Sequence, residues 1–247
     1  MIIKGKTALV TGGGVRVGKA ITLALAGAGA NVVINYSRSA AEAEETAKAV
    51  QALGAGALAV QADISDPEQV ARMVTQANER FGGVDMLVNS ASLWAKSPIP
   101  TDDVTMWRRI IGIALDGAFY CSNAVAPHML AQGEGAIVNI VDLSAWEPWT
   151  NYGAHSVAKA GLMALTRQLA LELAPAVRVN AVAPGPVLPP PEYTPEMVRH
   201  TAQKTLLGRW GKPEDISQAV LFLFQADYIN ADCLIVDGGE RFGRNRA

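Results

Sequence analysis

Short β-branched runs alternate with longer amphipathic ones along this chain. Thr7–Thr11, Asn31–Asn35, Ala57–Gln61, Met86–Asn89, Ile137–Val141, Arg178–Ala183 and Leu234–Asp237 read as strands. Between them, Val17–Ala28, Ala40–Leu53, Pro67–Phe81 and a stretch ending near Ala174 carry helical spacing. The strands are apolar throughout rather than alternating, as burial on both faces requires, and helical crossovers between strands imply parallel pairing. The expectation is one α/β domain over residues 1–247, a doubly wound parallel sheet, since no linker or repeat divides the chain. One segment breaks the rhythm. In Pro184–Pro195, the run Pro189-Pro190-Pro191 cannot lie inside a helix and must leave the fold as an extended arm. It follows the C-terminal end of a strand, where open α/β sheets bind ligands. It therefore reads as a substrate lid over about residues 186–208, with a surface or oligomer loop as the alternative.

Composition narrows the classes. A chain of 247 residues that is 50% apolar and 18% charged can build one full core, which excludes disorder. With 21 Lys+Arg against 23 Asp+Glu, the net charge of -2 leaves no surplus for a phosphate backbone, so no nucleic-acid partner is expected. Arg241, Arg244 and Arg246 read as a solvated tail or a subunit contact. Near the C-terminus the apolar run Ala219–Phe224 falls short of the ~20 residues that cross a bilayer, and no signal-peptide pattern opens the chain. A soluble, cytoplasmic protein without a membrane partner is expected. Cys121 and Cys233 sit in apolar segments with no CxxC or histidine nearby, which points to buried free thiols and no metal site.

The first strand runs directly into Gly12-Gly13-Gly14-Val15-Arg16-Val17-Gly18 and then a helix. Glycines let the backbone turn sharply and approach a pyrophosphate, while the first amides of the helix aim their donors and dipole at it. Strand, loop and helix in this order favour dinucleotide binding over a simple tight turn. The spacing from Thr11 to Gly18 is Thr-Gly-x-x-x-x-x-Gly, not GxGxxG.

That spacing is followed in order by Asp63, Asn89-Ser90-Ala91-Ser92, Asn180, Pro184-Gly185 and Val236-Asp237-Gly238-Gly239. Over essentially its whole length the chain resembles the short-chain dehydrogenase/reductase family. The resemblance implies a single Rossmann-like domain and a nicotinamide cofactor. Its expected contacts are Gly12, Gly14, Val15, Arg16, Val17 and Gly18, then Asp63 and Ile64 at the adenine, then Asn89, Ser90, Ala91, Lys159, Pro184, Gly185 and Val187. The second strand ends Asn35-Tyr36-Ser37-Arg38-Ser39, without the carboxylate that an NAD-selective site uses on the ribose. Arg16 and Arg38, with Ser37 and Ser39, instead suit a 2′-phosphate, so NADP(H) is the expected cofactor.

The family carries Tyr-x-x-x-Lys on the helix after the fifth strand, with a Ser thirteen positions before the Tyr. Here the Lys is Lys159, His155 stands in the Tyr place and Asp142 in the Ser place. Ala114 stands where a family Asn is expected. Asp142 together with Arg16 is similar to the pteridine-reductase branch, in which hydride goes to a pterin ring carbon and an acid protonates the neighbouring nitrogen; the His is not. Imidazole can transfer protons near neutral pH, although it is shorter than a phenol. The expected catalytic set is therefore Asp142, His155 and Lys159, with Tyr152 one turn earlier lining the pocket or, as the alternative, substituting as the proton donor. Trp94, Trp146 and Trp149 flank the motif loops and could stack on a flat ring or simply pack.

This reading is an NADPH-dependent reductase of a carbonyl or imine on a small, cyclic or aromatic (pterin- or ketone-like) substrate. Its alternatives are a cofactor-binding protein without turnover and a non-redox dehydratase or isomerase. Family members usually form tetramers through the two long helices around the reaction centre and the last strand. The small residues of Ala158–Ala174 suit that packing, so a homotetramer is expected, with a dimer as the alternative.

Overall fold

The computed structural model of the chain describes residues 1–190 and 192–243; Pro191 of the proline run and Arg244 and Arg246 of the tail lie outside the described residues. Seven strands form one parallel sheet: β1 (Thr7–Val10), β2 (Asn31–Tyr36), β3 (Ala57–Gln61), β4 (Met86–Asn89), β5 (Gly135–Ile140), β6 (Val177–Pro184) and β7 (Cys233–Val236). Their order is β3-β2-β1-β4-β5-β6-β7, so the chain winds outward from β1 and then returns to β4 on its other side. The crevice above the carboxyl ends of β1 and β4 is the topological switch point, where such sheets bind ligands.

Side chains alternate across the sheet into two cores. Ala8 and Val10 of β1, with Val32, Ile34 and Val88, pack under α1 (Arg16–Gly27), α2 (Ala40–Ala52) and α8 (Pro213–Gln225). Leu9, Val33, Leu87 and Ile137 face the other way, onto α3 (Pro67–Phe81), α5 (Gly117–Gln132) and α6 (Gly153–Leu173). Both strand faces are thus covered, which explains the unbroken apolar runs. Helix ends follow local chemistry. Asp66 accepts from the Glu68 and Gln69 amides, Pro67 opens α3, and Gly82 closes it at φ 85; such an N-cap is worth about 1 kcal/mol.

The fifth strand begins two residues earlier than its β-branched run because Gly135 and Ala136 pair with Val177 and Arg178 of β6. Ahead of it, α4 (Thr105–Ile111) passes through a wide π turn at Gly112–Asp116 into α5. By length and composition the stretch Thr105–Gln132 is apolar enough to cross a membrane, unlike the Ala219–Phe224 run considered from sequence. Here it serves as a core helix, with Ala118, Cys121, Val125 and Met129 buried. Beyond β6 the described residues before Pro195 form no helix or strand, and α7 (Pro195–Lys204) follows. Both cysteines are free, Cys121 buried as expected but Cys233 only half-buried at the head of edge strand β7.

Candidate active site

The glycine loop is tight. Gly12 turns at φ 64, and its amide donates to Asn35 Oδ1 at 3.3 Å while Gly13 N donates to Asn35 O at 3.1 Å. Thr22 and Thr46 hydroxyls donate to the Gly13 and Gly14 carbonyls at 3.0 and 3.1 Å. A Cβ at Gly18 would lie 2.2 Å from Gly12 O, and one at Gly14 would lie 2.9 Å from Ala43 Cα. Residue Val15 starts α1 with no side-chain cap and no acidic residue in the first turn. The first-turn amides around Val17 and Gly18 are therefore left for an external anion, and the cradle fits a pyrophosphate. On the far side Thr11 Oγ1 accepts from the Ser90 and Ala91 amides at 2.9 and 3.0 Å, tying β1 to the loop after β4.

Arg16 occupies an unusual backbone state for a side-chain-bearing residue, φ 50, which explains the glycine common at such a position. Its guanidinium donates to Leu188 O on the arm at 3.0 Å. Arg38, the other guanidinium expected at a 2′-phosphate, stands between Ser37 and Ser39 after β2. Ser37 and Arg38 are exposed there, and Ser39 heads α2 without a capping bond. At the end of β3, Asp63 forms a 2.7 Å ion pair with Arg109 of α4, and its other oxygen accepts from Ser65 N and Oγ. Ile64 beside it is buried. Arg109 was not visible as a site residue from sequence, because its partner lies on a different crossover unit.

The reaction pair sits in the first turns of α6. His155 and Lys159, one turn apart on the inward face, are 3% and 4% exposed. Asp142, just beyond β5, heads a short turn (Leu143–Ala145) in which Ser144 N and Oγ bond its Oδ1 at 2.9 and 2.5 Å. Its other oxygen, Oδ2, meets His155 Nε2 at 2.6 Å. Lys159 Nζ donates to Ile140 O at 2.7 Å. Burial alone would push the Asp142 carboxyl up, but the His155 hydrogen bond, the nearby Lys159 charge and Ser144 together hold it below its ordinary value. Burial pushes the Lys159 ammonium down, partly countered by Asp142. An ionised Asp142 makes Nε2 a donor and leaves His155 Nδ1 as the ring nitrogen with no partner among the described residues.

Aromatic rings pack against the imidazole. Trp94 stacks on Tyr152 at 4.3 Å and meets the His155 ring edge-on at 5.1 Å. Trp149 lies nearly parallel to His155, 13° apart at 5.9 Å. Ser97 pins the Trp94 segment to α6: its amide donates to Asn151 O at 2.7 Å and its hydroxyl accepts from Ala154 N at 2.9 Å. Trp146 stands largely exposed instead. Tyr193 on the arm packs edge-on against Trp210, and burial, followed by the neighbouring Tyr152, raises its phenol above the usual range.

Below the arm, Gly185 N donates to Val236 O, and a Cβ at Gly185 would come within 2.6 Å of Asp237 Cα. Pro184 closes β6, and Val187 lines a hollow of about 300 Å³ with Pro186, Leu207 and Val236. Beneath the centre Asn89 donates to Asn139 Oδ1 at 2.8 Å, and Asn139 donates to Thr166 at 2.9 Å, a buried ladder that joins β4, β5 and α6.

Known oxidoreductases are similar to this chain along nearly its whole length. A family profile described as Enoyl-(Acyl carrier protein) reductase matches residues 14–240. The chain is 36% identical over 245 residues to 3beta-hydroxysteroid dehydrogenase 1 of Eggerthella lenta, covering 96% of this chain and 94% of that one. It is 34% identical over 242 residues to the 3-oxoacyl-[acyl-carrier-protein] reductase of Synechocystis sp., covering 96% and 97%. The crystal structure of a short chain dehydrogenase from Bacillus anthracis superposes with a TM-score of 0.88 at 34% identity, covering 97% and 98%.

Proposed function

The chain belongs to the short-chain dehydrogenase/reductase family of oxidoreductases, and from that premise we propose that it is an NADPH-dependent reductase of a carbonyl or imine on a small cyclic or aromatic substrate. The observation that carries this reading is the buried His155, held at Nε2 by Asp142 and left unpartnered at Nδ1. When bound, the cofactor supplies a hydride. The chain must then deliver a proton to the substrate oxygen or nitrogen, and this role falls in our reading to Nδ1, which has no partner among the described residues. Asp142 Oδ2 accepts the hydrogen bond of the Nε2–H and so fixes the orientation of the ring. Lys159, one turn on from His155, would bind the nicotinamide ribose, while the glycine-loop amides would hold the pyrophosphate.

NADP(H) over NAD(H) is supported by Arg38 with Ser37 and Ser39 and by the absence of a carboxylate at the end of β2. Trp94, Trp149 and Tyr152 around the imidazole favour a flat or alicyclic ring over a charged chain. Asp142 with Arg16 supports a pterin-like ring system in particular, and the steroid-acting relative is compatible with other fused rings. The proposed setting is the cytoplasm, which suits two free thiols, and the proposed assembly is a homotetramer.

The test is turnover. Purified protein mixed with NADPH and a panel of cyclic ketones, quinones and dihydropterins should consume cofactor with at least one member. Intact NADPH binding without consumption on any of them would refute the reductase reading. The Asp142 and His155 contact also supports a second reading, dehydration or isomerisation by proton transfer alone; product formed without cofactor consumption would distinguish it.

A further inference from the structure

Helix α6 carries His155 in its first turn but brings no cap of its own. Tyr152 stands at its N-cap without a side-chain bond, so the opening amides need acceptors from elsewhere. Another element supplies them. Gly153 N donates to Ser97 O at 3.2 Å, and Ala154 N donates to Ser97 Oγ at 2.9 Å. Ser97 lies on the loop between β4 and α4, 57 positions before Ala154, and is only 6% exposed. Its hydroxyl does what an N-cap serine does within one helix, accepting from the second helical amide, but it reaches across from a separate segment. Its own amide donates to Asn151 O at 2.7 Å, which closes a parallel bridge between Ser97 and Tyr152.

The residue that follows the two capped amides is His155 itself. Beyond it, Ser156 Oγ accepts from Trp149 N at 3.2 Å and so ties the helix to the indole that lies parallel to the imidazole. A Cβ at Gly153 would lie 2.9 Å from Ile99 Cδ1, so the glycine lets the loop dock this closely. The same loop begins at Ser90 and Ala91, whose amides Thr11 holds beside the glycine loop. One short segment therefore joins the expected cofactor wall to the turn that bears His155. Hydride and proton must reach neighbouring atoms of one substrate, and misplacing either source by about 1 Å costs about 10² in rate.

We infer that Ser97 is the positioning residue for His155: it caps the first turn of α6 from the neighbouring loop and sets the imidazole in register with the cofactor wall, without itself touching the reacting atoms. The inference rests on the reading above of His155 as the group that transfers the proton.

The experiment compares wild type with Ser97→Ala, Ser97→Thr and Ser97→Cys, and with Met129→Ala as a control for lost stability. Met129 is buried against Gly135 at the start of β5, the end of the sheet opposite the site. The readouts are kcat and KM on a substrate found in the panel, the NADPH Kd by calorimetry, and the side-chain nitrogen resonances of His155, which report its tautomer and its bond to Asp142. Ser97→Ala should lower kcat about tenfold to a hundredfold, leave the NADPH Kd unchanged and move the His155 resonances. Threonine keeps the hydroxyl and should restore both. Cysteine, a weaker acceptor of similar size, should fall between, and it carries the test if the alanine variant misfolds. Met129→Ala should lower Tm with kcat and resonances unchanged. Wild-type kcat and resonances in Ser97→Ala, or an equal fall in Met129→Ala, would overturn the inference and leave the reductase reading intact. If wild type reduces nothing in the panel, the reductase reading falls, and the His155 resonances alone decide whether Ser97 places the ring.

Discussion

Replacing Asp142 by Asn keeps the shape of the side chain and removes its charge. In the native site one oxygen accepts two Ser144 donors and the other accepts His155 Nε2. An amide can match only one of these sides. With its NH2 toward Ser144 it faces the Ser144 amide donor to donor; turned the other way, it forces the imidazole proton from Nε2 to Nδ1. A charge-assisted hydrogen bond worth about 1.5–3 kcal/mol becomes a neutral one worth about 0.5–1.5, a loss of about 1–2 kcal/mol. For a chain of this size that lowers Tm by roughly 2–8 °C. Catalysis should suffer more, because the general acid loses both tautomer control and its counter-charge: kcat should fall by about 10²–10⁴ while the NADPH Kd is unchanged. The pH dependence has a definite sign. The folded Asp142 carboxyl is depressed, so its stabilisation is complete above the unfolded aspartate value of about 3.9 and is lost as pH falls through the lower folded value. The Tm gap between wild type and Asp142→Asn should be flat at neutral pH and narrow in acid. Steady-state kinetics with a substrate found in the panel, together with calorimetry from neutral to acid pH, measures both. Undiminished kcat in the Asp142→Asn variant would refute the dyad.

Three other perturbations probe separate parts of the site. Gly18→Ala forces a Cβ to within 2.2 Å of Gly12 O; overpacking of that kind costs about 1–3 kcal/mol and should displace the loop, so NADPH binding should be lost along with thermal stability. Arg38→Glu places a carboxylate at the end of β2 and should weaken NADPH more than about tenfold while leaving NADH affinity equal or improved, read by fluorescence titration. Trp94→Ala removes ring contacts worth about 0.5–1.5 kcal/mol each and uncovers the His155 ring. Modification by diethyl pyrocarbonate, followed by mass spectrometry at His155, should accelerate; an unchanged rate would show that the indole does not shield Nδ1.

The middle of the sheet was legible in the sequence because β1, β2 and β4 are buried on both faces, so their apolar runs are unbroken. β3, α3 and β4 coincide with their sequence patterns. At β5 the pattern misled, since Gly135 and Ala136 carry no β-branched signal yet pair with β6. The glycine loop announced itself through residues whose backbone demands are local. Arg16 did not, because its partner is a backbone carbonyl on the distant arm, and a carbonyl leaves no mark in sequence. The resemblance to the family's Tyr-x-x-x-Lys pattern, with its upstream Ser, put forward Asp142, His155 and Lys159 as candidates. Which imidazole nitrogen remains available depends on side-chain packing, which no spacing rule encodes. Arg109 was silent for the same reason: its ion pair joins two crossovers that only the folded sheet brings together.

The indoles against His155 give the protein a built-in optical gauge. Trp94 and Trp149 lie edge-on and face-on to the same imidazole, so a molecule that binds against that ring alters the surroundings of both indoles. Ligand occupancy will be written into tryptophan emission before any chemistry occurs, which allows screening for molecules that fill the cleft without first knowing the reaction.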